Sequence, residues 1–154
     1  IASRRTKYFE PYHHALKQEL DRIVSVFGYA LLWDAHSIKS EVPDLFEGEL
    51  PDFNIGTNSN ASAPAHVTES ILAAAGKFPH SAVANGRFKG GYITRHYGKA
   101  DSRIFAVQLE MAQAIYMHEG QHFDFDETKA PAVRAIIQSL IETYLESAAR
   151  HFSR

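Results

Sequence analysis

A histidine that directly follows an apolar run is the first candidate for chemistry in this chain. His36 comes two residues after Asp34, and both follow Tyr29-Ala30-Leu31-Leu32-Trp33. Open α/β sheets place their sites beyond the carboxyl ends of their strands. A histidine there can ligate a metal or act as a base, with Asp34 as the carboxylate that orients it. The alternative is a loop histidine whose ring nitrogens hydrogen-bond to backbone.

The segment of residues 85–95 combines three glycines, two arginines and one lysine. Asn85-Gly86 is a common hairpin turn, and short β-like runs flank it. Glycines also let backbone amides approach a ligand, and the guanidinium groups of Arg87 and Arg95 can bind carboxylates through two hydrogen bonds each. The residues therefore indicate a hairpin, an anion site, or one loop that serves as both.

Glu110 ends an alternating apolar segment, residues 104–110, and lies on the same face as Gln108. A carboxylate at the end of a buried strand costs free energy unless it is paired or used. Glu110 is therefore either a salt-bridge partner or a general base whose pKa is raised by burial.

His118-Glu119-Gly120-Gln121-His122 matches the zincin pattern His-Glu-x-x-His, in which one helical turn carries two zinc ligands and a base. Glu142 lies downstream, where a third ligand would be sought. Gly120 disfavours a helix, and the extended metzincin pattern fails at Phe125 and Thr128. The alternative is a loop that is rich in histidine.

Helices and strands alternate among the elements that must position these residues. Helical periodicity predicts helices at residues 8–27, 65–77 and 128–149. Gly28 is the expected C-cap of the first helix. Short strands are predicted at residues 29–33, 81–84 and 104–110, with strand or extended chain at 92–95. Residues 34–64 are expected to form a long, ordered functional loop. This alternation predicts an α/β sandwich with a mixed or mostly parallel sheet.

Composition narrows the classes of protein to which the chain can belong. Its 154 residues fit one domain, and 45% of them are hydrophobic. The absence of cysteine excludes thiolate metal sites and cysteine nucleophiles. The net charge of -2 gives no pull toward nucleic acid, and no apolar run approaches the ~20 residues that span a bilayer. We therefore expect neither a nucleic-acid nor a membrane partner.

Several segments together resemble one known family. They are Pro11-Tyr12-His13, Leu32-Trp33-Asp34-Ala35-His36-Ser37-Ile38, residues 43–48, 50–58 and 85–98, Val107-Gln108-Leu109-Glu110 and Tyr116-Met117. In this order and over most of the chain, they resemble the N-formylglutamate amidohydrolase (deformylase) family. The resemblance implies a single domain over residues 1–154. Its fold would be a three-layer α/β sandwich with a mixed, mostly parallel sheet, hydrolase-like and related to zinc carboxypeptidases, without its N-terminal strands.

The resemblance also implies an activity. Members hydrolyse N-formyl-L-glutamate to formate and L-glutamate in histidine degradation, which implies a cytoplasmic, zinc-dependent enzyme for this or a close N-acyl amino acid. Carried over by position, His36 is a zinc ligand and Glu110 is the general base that activates the metal-bound water. Four further residues would contact the substrate, the first two by clamping its carboxylates: Arg87, Arg95, Asn85 and Thr57.

The chain departs from the family because members carry an N-terminal half with further metal ligands. Only His36 matches a ligand position, whereas catalytic zinc normally has three protein ligands. The chain is therefore the C-terminal part of a hydrolase, has lost its metal, or takes the missing half from another chain. A fragment would expose an apolar edge or form a homo-oligomer.

Two other functions remain as alternatives to the amidohydrolase. The first is a non-catalytic fragment or degenerate homologue that keeps Arg87 and Arg95 and only binds small dicarboxylates. The second is a zincin-like metalloprotease that uses His118, Glu119 and His122.

Overall fold

The structure is a computed structural model that describes residues 2–120 and 122–153. A short helix α1 (Ala2–Arg4) continues through a π-helical turn (Arg5–Phe9) into the long helix α2. The elements from there on are α2 (Glu10–Phe27), β1 (Ala30–Ile38), β2 (Phe53–Gly56), α3 (Ala65–Ala75), β3 (Ala82–Ala84), α4 (Tyr92–Tyr97), β4 (Ile104–Ala112), a 3₁₀ turn (Gln113–Ile115), β5 (Met117–Glu119), β6 (Phe123–Phe125) and α5 (Ala130–Phe152).

Four strands form one mixed sheet in the order β1-β4-β2-β3. β1 runs parallel to β4, and β3 runs parallel to β2, whereas β2 and β4 are antiparallel. Helices α3 and α5 cover one face, and α2 and α4 cover the other. The predicted α/β architecture with a mixed, mostly parallel sheet is therefore confirmed. β5 and β6 pair as a separate antiparallel ribbon.

The main core lies between the sheet and the layer formed by α3 and α5. On β4, Phe105, Val107 and Leu109 are fully buried against this layer, as the alternation of residues 104–110 predicts. The opposite face of β4 is buried as well, because α2 and α4 cover it. β4 is thus enclosed on both faces and paired along both edges.

Two sequence predictions about local structure are wrong. Residues 92–95 belong to helix α4 and not to a strand, because the buried side chains of Thr94 and Tyr97 hold this turn against the sheet. Residues 34–64 are not one long loop, since β1 continues to Ile38 in register with β4 and β2 lies within the segment. Helices α2, α3 and α5 appear where periodicity predicts them, and Gly28 ends α2 in a left-handed conformation. No helix in residues 2–120 and 122–153 is long and apolar enough to cross a membrane.

The side chain of Asp126 holds the turn that leads into α5. Its Oδ1 accepts hydrogen bonds from the Thr128 hydroxyl at 2.6 Å and from the backbone N–H groups of Thr128 and Lys129. The hydrogen bond from the Thr128 side chain, helped by the two backbone N–H groups and by the nearby charge of His118, lowers the pKa of Asp126 to about 2.

We expect Asp126→Asn to lower the free energy of unfolding at neutral pH, because a neutral amide oxygen accepts these hydrogen bonds more weakly than a carboxylate oxygen. A lowered pKa means that the folded state favours the ionised form, so this stability is present above the unfolded-state pKa and lost as pH falls toward 2. Urea unfolding at several pH values should show the difference between the two proteins shrinking in acid. A difference that does not depend on pH would contradict this account.

Candidate active site

Three neighbouring strands present polar side chains on the sheet face that α2 and α4 cover. His36 on β1 lies beside Glu110 on β4, which lies beside Asn54 on β2. One step along the strands, Asp34 lies beside Gln108 in the same way. Alternation explains this arrangement on β4 and β2, because the neighbouring residues Leu109 and Ile55 point into the apolar core on the other face.

The side chains on β1 and β4, namely Asp34, His36, Gln108 and Glu110, form the floor of an open pocket of about 350 Å³. The first turn of α4 and the glycine before it form the facing wall. The lining residues are Asp34, His36, Gly91, Tyr92, Ile93, Gln108 and Glu110. A pocket with two carboxylates, an imidazole and an amide at its floor can hold a small polar molecule and transfer its protons.

Glu110 is the buried acid of this pocket, with 7% of its surface exposed. Burial raises the pKa of Glu110, the nearby His36 lowers it, and the nearby Asp34 raises it again. A carboxylate whose pKa is raised toward neutrality is a better proton acceptor than an ordinary glutamate. The general-base interpretation of Glu110 is therefore consistent with its surroundings, whereas no salt bridge to a lysine or arginine is found among the described residues.

His36 is oriented by a carboxylate at the pocket's edge. Its Nε2 lies 2.9 Å from Asp34 Oδ1, and the imidazole is about half exposed while Asp34 is largely buried. The prediction that Asp34 orients His36 is confirmed, although both residues lie inside β1 and not beyond its end. The histidine keeps its second ring nitrogen for another partner.

Residues 1–117 match the family model described as N-formylglutamate amidohydrolase. The chain belongs to the N-formylglutamate amidohydrolase family. The proteins named N-formylglutamate deformylase from Pseudomonas aeruginosa and Pseudomonas putida are 51% and 46% identical to it, over 151 and 157 residues. These alignments cover 94% and 97% of this chain but only 56% and 58% of the relatives. The chain thus spans little more than half the length of these curated relatives.

A solved structure supports the fold. The crystal structure of N-formylglutamate amidohydrolase from Ralstonia eutropha JMP134 superimposes with a TM-score of 0.77 at 19% sequence identity. The superposition covers 99% of this chain and 56% of that protein. The architecture described above is therefore one that this amidohydrolase shares.

Asn85 and Thr57, which the family resemblance assigns to polar substrate contacts, bind each other. Asn85 Oδ1 accepts from the backbone N–H groups of Thr57 and Ser59, and its Nδ2 donates to Thr57 Oγ1 at 2.9 Å. Thr57 is fully buried. The pair holds the segment after β2 against the segment after β3, which is not a hairpin because α4 follows it. A direct contact with substrate stays a prediction for both residues.

Arg87 and Arg95 both have exposed side chains, and neither lines the pocket around Glu110. Arg95 Nη1 donates to the carbonyl of Gly90 at 2.6 Å, which holds the guanidinium over the glycine-rich segment. Arg87 lies in the same segment, between β3 and α4. Arg95 thus lies in the helix that forms the pocket wall, and Arg87 lies in the segment before that helix. Their binding of carboxylates stays a prediction.

The described residues do not provide a complete zinc site. Among residues 2–120 and 122–153, no group of three or more His, Asp or Glu side chains is arranged to hold a metal ion. His36 supplies one imidazole, but its nearest carboxylate, that of Asp34, is engaged in orienting it. Catalytic zinc needs three protein ligands, so this donor set alone does not fit the ion.

The zincin interpretation of residues 118–122 is wrong in its geometry. His118 and Glu119 lie in β5, which pairs antiparallel with β6, so no helical turn places His118 and His122 side by side. His118 Nε2 lies 3.1 Å from Asp126 Oδ2, and both carboxylate oxygens of Glu119 accept hydrogen bonds from Ser40. Glu142 accepts a hydrogen bond from Gln138 on α5. Gln121 lies outside the described residues.

Two pocket residues were not predicted as part of the site. Gln108 could have been found from alternation, because it shares its strand face with Glu110. The sequence predicts Tyr92 in an extended run, and only the helical turn of α4 brings this tyrosine, which stacks on His96, to the pocket.

Proposed function

We propose that this chain forms the Glu110-bearing half of an active site that hydrolyses N-formyl-L-glutamate, or a close N-acyl amino acid, to formate and L-glutamate. The observation that supports it most is the buried Glu110, with its raised pKa, beside His36 on the floor of a pocket. The names of the Pseudomonas relatives support the substrate.

Glu110 acts as the base in this proposal. Its carboxylate takes a proton from a water molecule while the water oxygen forms a bond to the formyl carbon. The carbon–nitrogen bond then breaks, and Glu110 returns the proton to the departing nitrogen of glutamate. The raised pKa of Glu110 suits both steps, because the group must accept and release a proton near neutral pH.

Zinc dependence is a further part of the proposal. His36 would contribute one imidazole ligand, and the remaining ligands are not among the described residues. Bound zinc would supply a Lewis acid for the formyl oxygen. The family resemblance is the ground for proposing zinc, the histidine-degradation route and a cytoplasmic location, and a homo-oligomer is proposed because the sheet is expected to expose an apolar edge.

A formate-release assay on the 154-residue chain, with and without added zinc, tests this function directly. We expect formate and glutamate in equal amounts from N-formyl-L-glutamate. Glutamate binding without turnover, in the presence of zinc, would favour the dicarboxylate-binding alternative. The same assay on a full-length relative checks the conditions, so that an inactive chain is not mistaken for a failed assay.

Arg95→Ala is expected to raise KM for N-formyl-L-glutamate about tenfold to a hundredfold while changing kcat much less. The physical reason is the loss of a charge-assisted contact with a substrate carboxylate, which is worth about 1.5–3 kcal/mol. Steady-state formate release measures both constants. Arg22→Ala is the matched control, because Arg22 is an exposed arginine on α2 paired with Glu19. An unchanged KM in Arg95→Ala would remove this residue from substrate binding.

A further inference from the structure

Gln108 connects the wall of the pocket to the buried acid on its floor. Its side chain is buried, with 5% of the residue exposed. Gln108 Oε1 accepts a hydrogen bond from the backbone N–H of Gly91 at 2.5 Å, and its Nε2 donates to Glu110 Oε2 at 3.3 Å. One amide thus joins the start of α4 to the carboxylate of Glu110.

The orientation of this amide is set by its partners. The backbone N–H of Gly91 can only donate, so the oxygen of Gln108 must face it and the NH₂ group must face Glu110. A carboxylate is the acceptor that suits this NH₂ group. In the described part of the chain, this is the one side-chain hydrogen bond of Glu110, and it engages Oε2 and leaves Oε1 to accept a proton.

A second glycine, Gly56 on β2, leaves room for the segment that carries the Gly91 amide to approach Gln108. Gly56 lies opposite Gln108 in the register of β2 and β4. A Cβ atom at Gly56 would lie only 2.5 Å from the backbone nitrogen of Gly90, so the segment before α4 rests directly on the strand. Gly90 itself has a φ of 111°, which favours glycine.

We propose that Gln108 is a positioning residue for Glu110, which fixes one carboxylate oxygen so that the other faces the substrate. The proposal rests on the proposed function insofar as Glu110 is the base. Because Gln108 also binds the backbone of Gly91, the orientation of the Glu110 carboxylate depends on the position of the glycine-rich segment that carries Arg87.

Gln108→Met removes both hydrogen bonds at nearly the same side-chain volume, and NMR on the 154-residue chain reads the result without catalysis. We expect the side-chain carboxyl 13C resonance of Glu110 to move, because its Oε2 loses the donor that Gln108 supplies. The Gly91 amide proton should move upfield. Gln138→Met is the matched control, since it removes a Gln-to-Glu hydrogen bond on exposed α5 and should leave Glu110 unchanged.

Gln108→Glu separates the two hydrogen bonds and serves if Gln108→Met fails to fold. It keeps an oxygen for Gly91 but loses the donor to Glu110 and adds a like charge beside it. In Gln108→Glu, the Gly91 amide proton should therefore stay near its wild-type position, while the Glu110 carboxyl resonance moves. A Glu110 carboxyl resonance that does not move in the folded Gln108→Met protein would overturn the proposal.

Turnover provides a second readout that separates this proposal from the proposed function. If the chain cleaves N-formyl-L-glutamate, Gln108→Met should lower kcat at least about tenfold with KM within about twofold. An equal kcat in the two proteins would overturn positioning. If wild type is inactive in a working assay, the proposed function fails for this chain, and the NMR resonances of Glu110 and Gly91 still decide the role of Gln108.

Discussion

Glu110→Gln is expected to lower kcat for formate release by about 10²–10⁴-fold, the usual contribution of a general base. The amide keeps the shape of the side chain and its contact with Gln108 but cannot take a proton from water. Because binding of the substrate carboxylates does not depend on this group, KM should change little. Initial rates of formate release over a range of substrate concentrations measure both constants.

Glu142→Gln is the matched control for the loss of a carboxylate. Glu142 lies exposed on α5, far from the pocket in the fold, and should retain full activity. If Glu110→Gln kept more than about a tenth of wild-type kcat, another group would have to be the base.

Glu110→Gln should also change the stability of the protein in a pH-dependent way. The pKa of Glu110 is raised in the folded protein, so its ionised form opposes folding as pH rises from the unfolded-state pKa through the folded-state value. Glutamine resembles the protonated acid and avoids this cost. We therefore expect Glu110→Gln to unfold at higher urea than wild type at neutral pH, with the advantage absent in acid. Lower stability at every pH would show that Glu110 is favourably paired when charged.

Gly56→Ala should destabilise the protein by about 1–3 kcal/mol, the cost of overpacking a closed site. The new Cβ would meet the backbone nitrogen of Gly90 at 2.5 Å and the carbonyl carbon of Lys89 at 2.7 Å, and backbone atoms cannot rotate away. The segment must therefore lift from the sheet. Urea unfolding measures the loss of stability, and the shift of the Gly91 amide in the NMR spectrum measures the displacement.

Gly76→Ala is the comparison for Gly56→Ala. Gly76 ends α3 with right-handed helical angles, and its Cβ would make ordinary contacts at 3.6 Å and beyond. This substitution should be neutral or stabilise the protein by up to about 1 kcal/mol. Equal stability of the two variants would mean that the glycine-rich segment adapts to the added methyl group without cost.

The buried position of Glu110 could be predicted from the sequence, whereas the length of the strand beside it could not. Glu110 was recognised because a carboxylate within an apolar alternation needs a reason, and its burial and raised pKa match that argument. His36 was placed beyond the end of a strand but lies within β1. The length of that strand depends on its pairing with β4, where Ile38 still lies opposite Ala112. Such pairing joins residues distant in the chain and leaves no local pattern.

Tertiary packing also explains the two clear errors in local structure. Tyr92-Ile93-Thr94 has the β-branched and aromatic content of a strand. It is nevertheless helical, because the helix buries the side chains of Thr94 and Tyr97 on its inner face. His118 and His122 have the spacing of helical ligands, yet the ribbon of β5 and β6 separates them. Two residues with helical spacing can bind one metal ion together only if the backbone between them is helical.

The order of strands in the sheet has a consequence for how the protein is made. β4 is the last of the four strands to leave the ribosome, although both β1 and β2 pair with it. Among the described residues β1 pairs with β4, so it lacks this neighbour until residues 104–112 emerge, and the apolar layer of α5 follows later still. The nascent chain therefore carries a nine-residue strand without this partner while residues 39–103 are made. During that interval, holding chaperones and a slow final collapse around β4 should govern the yield of folded protein.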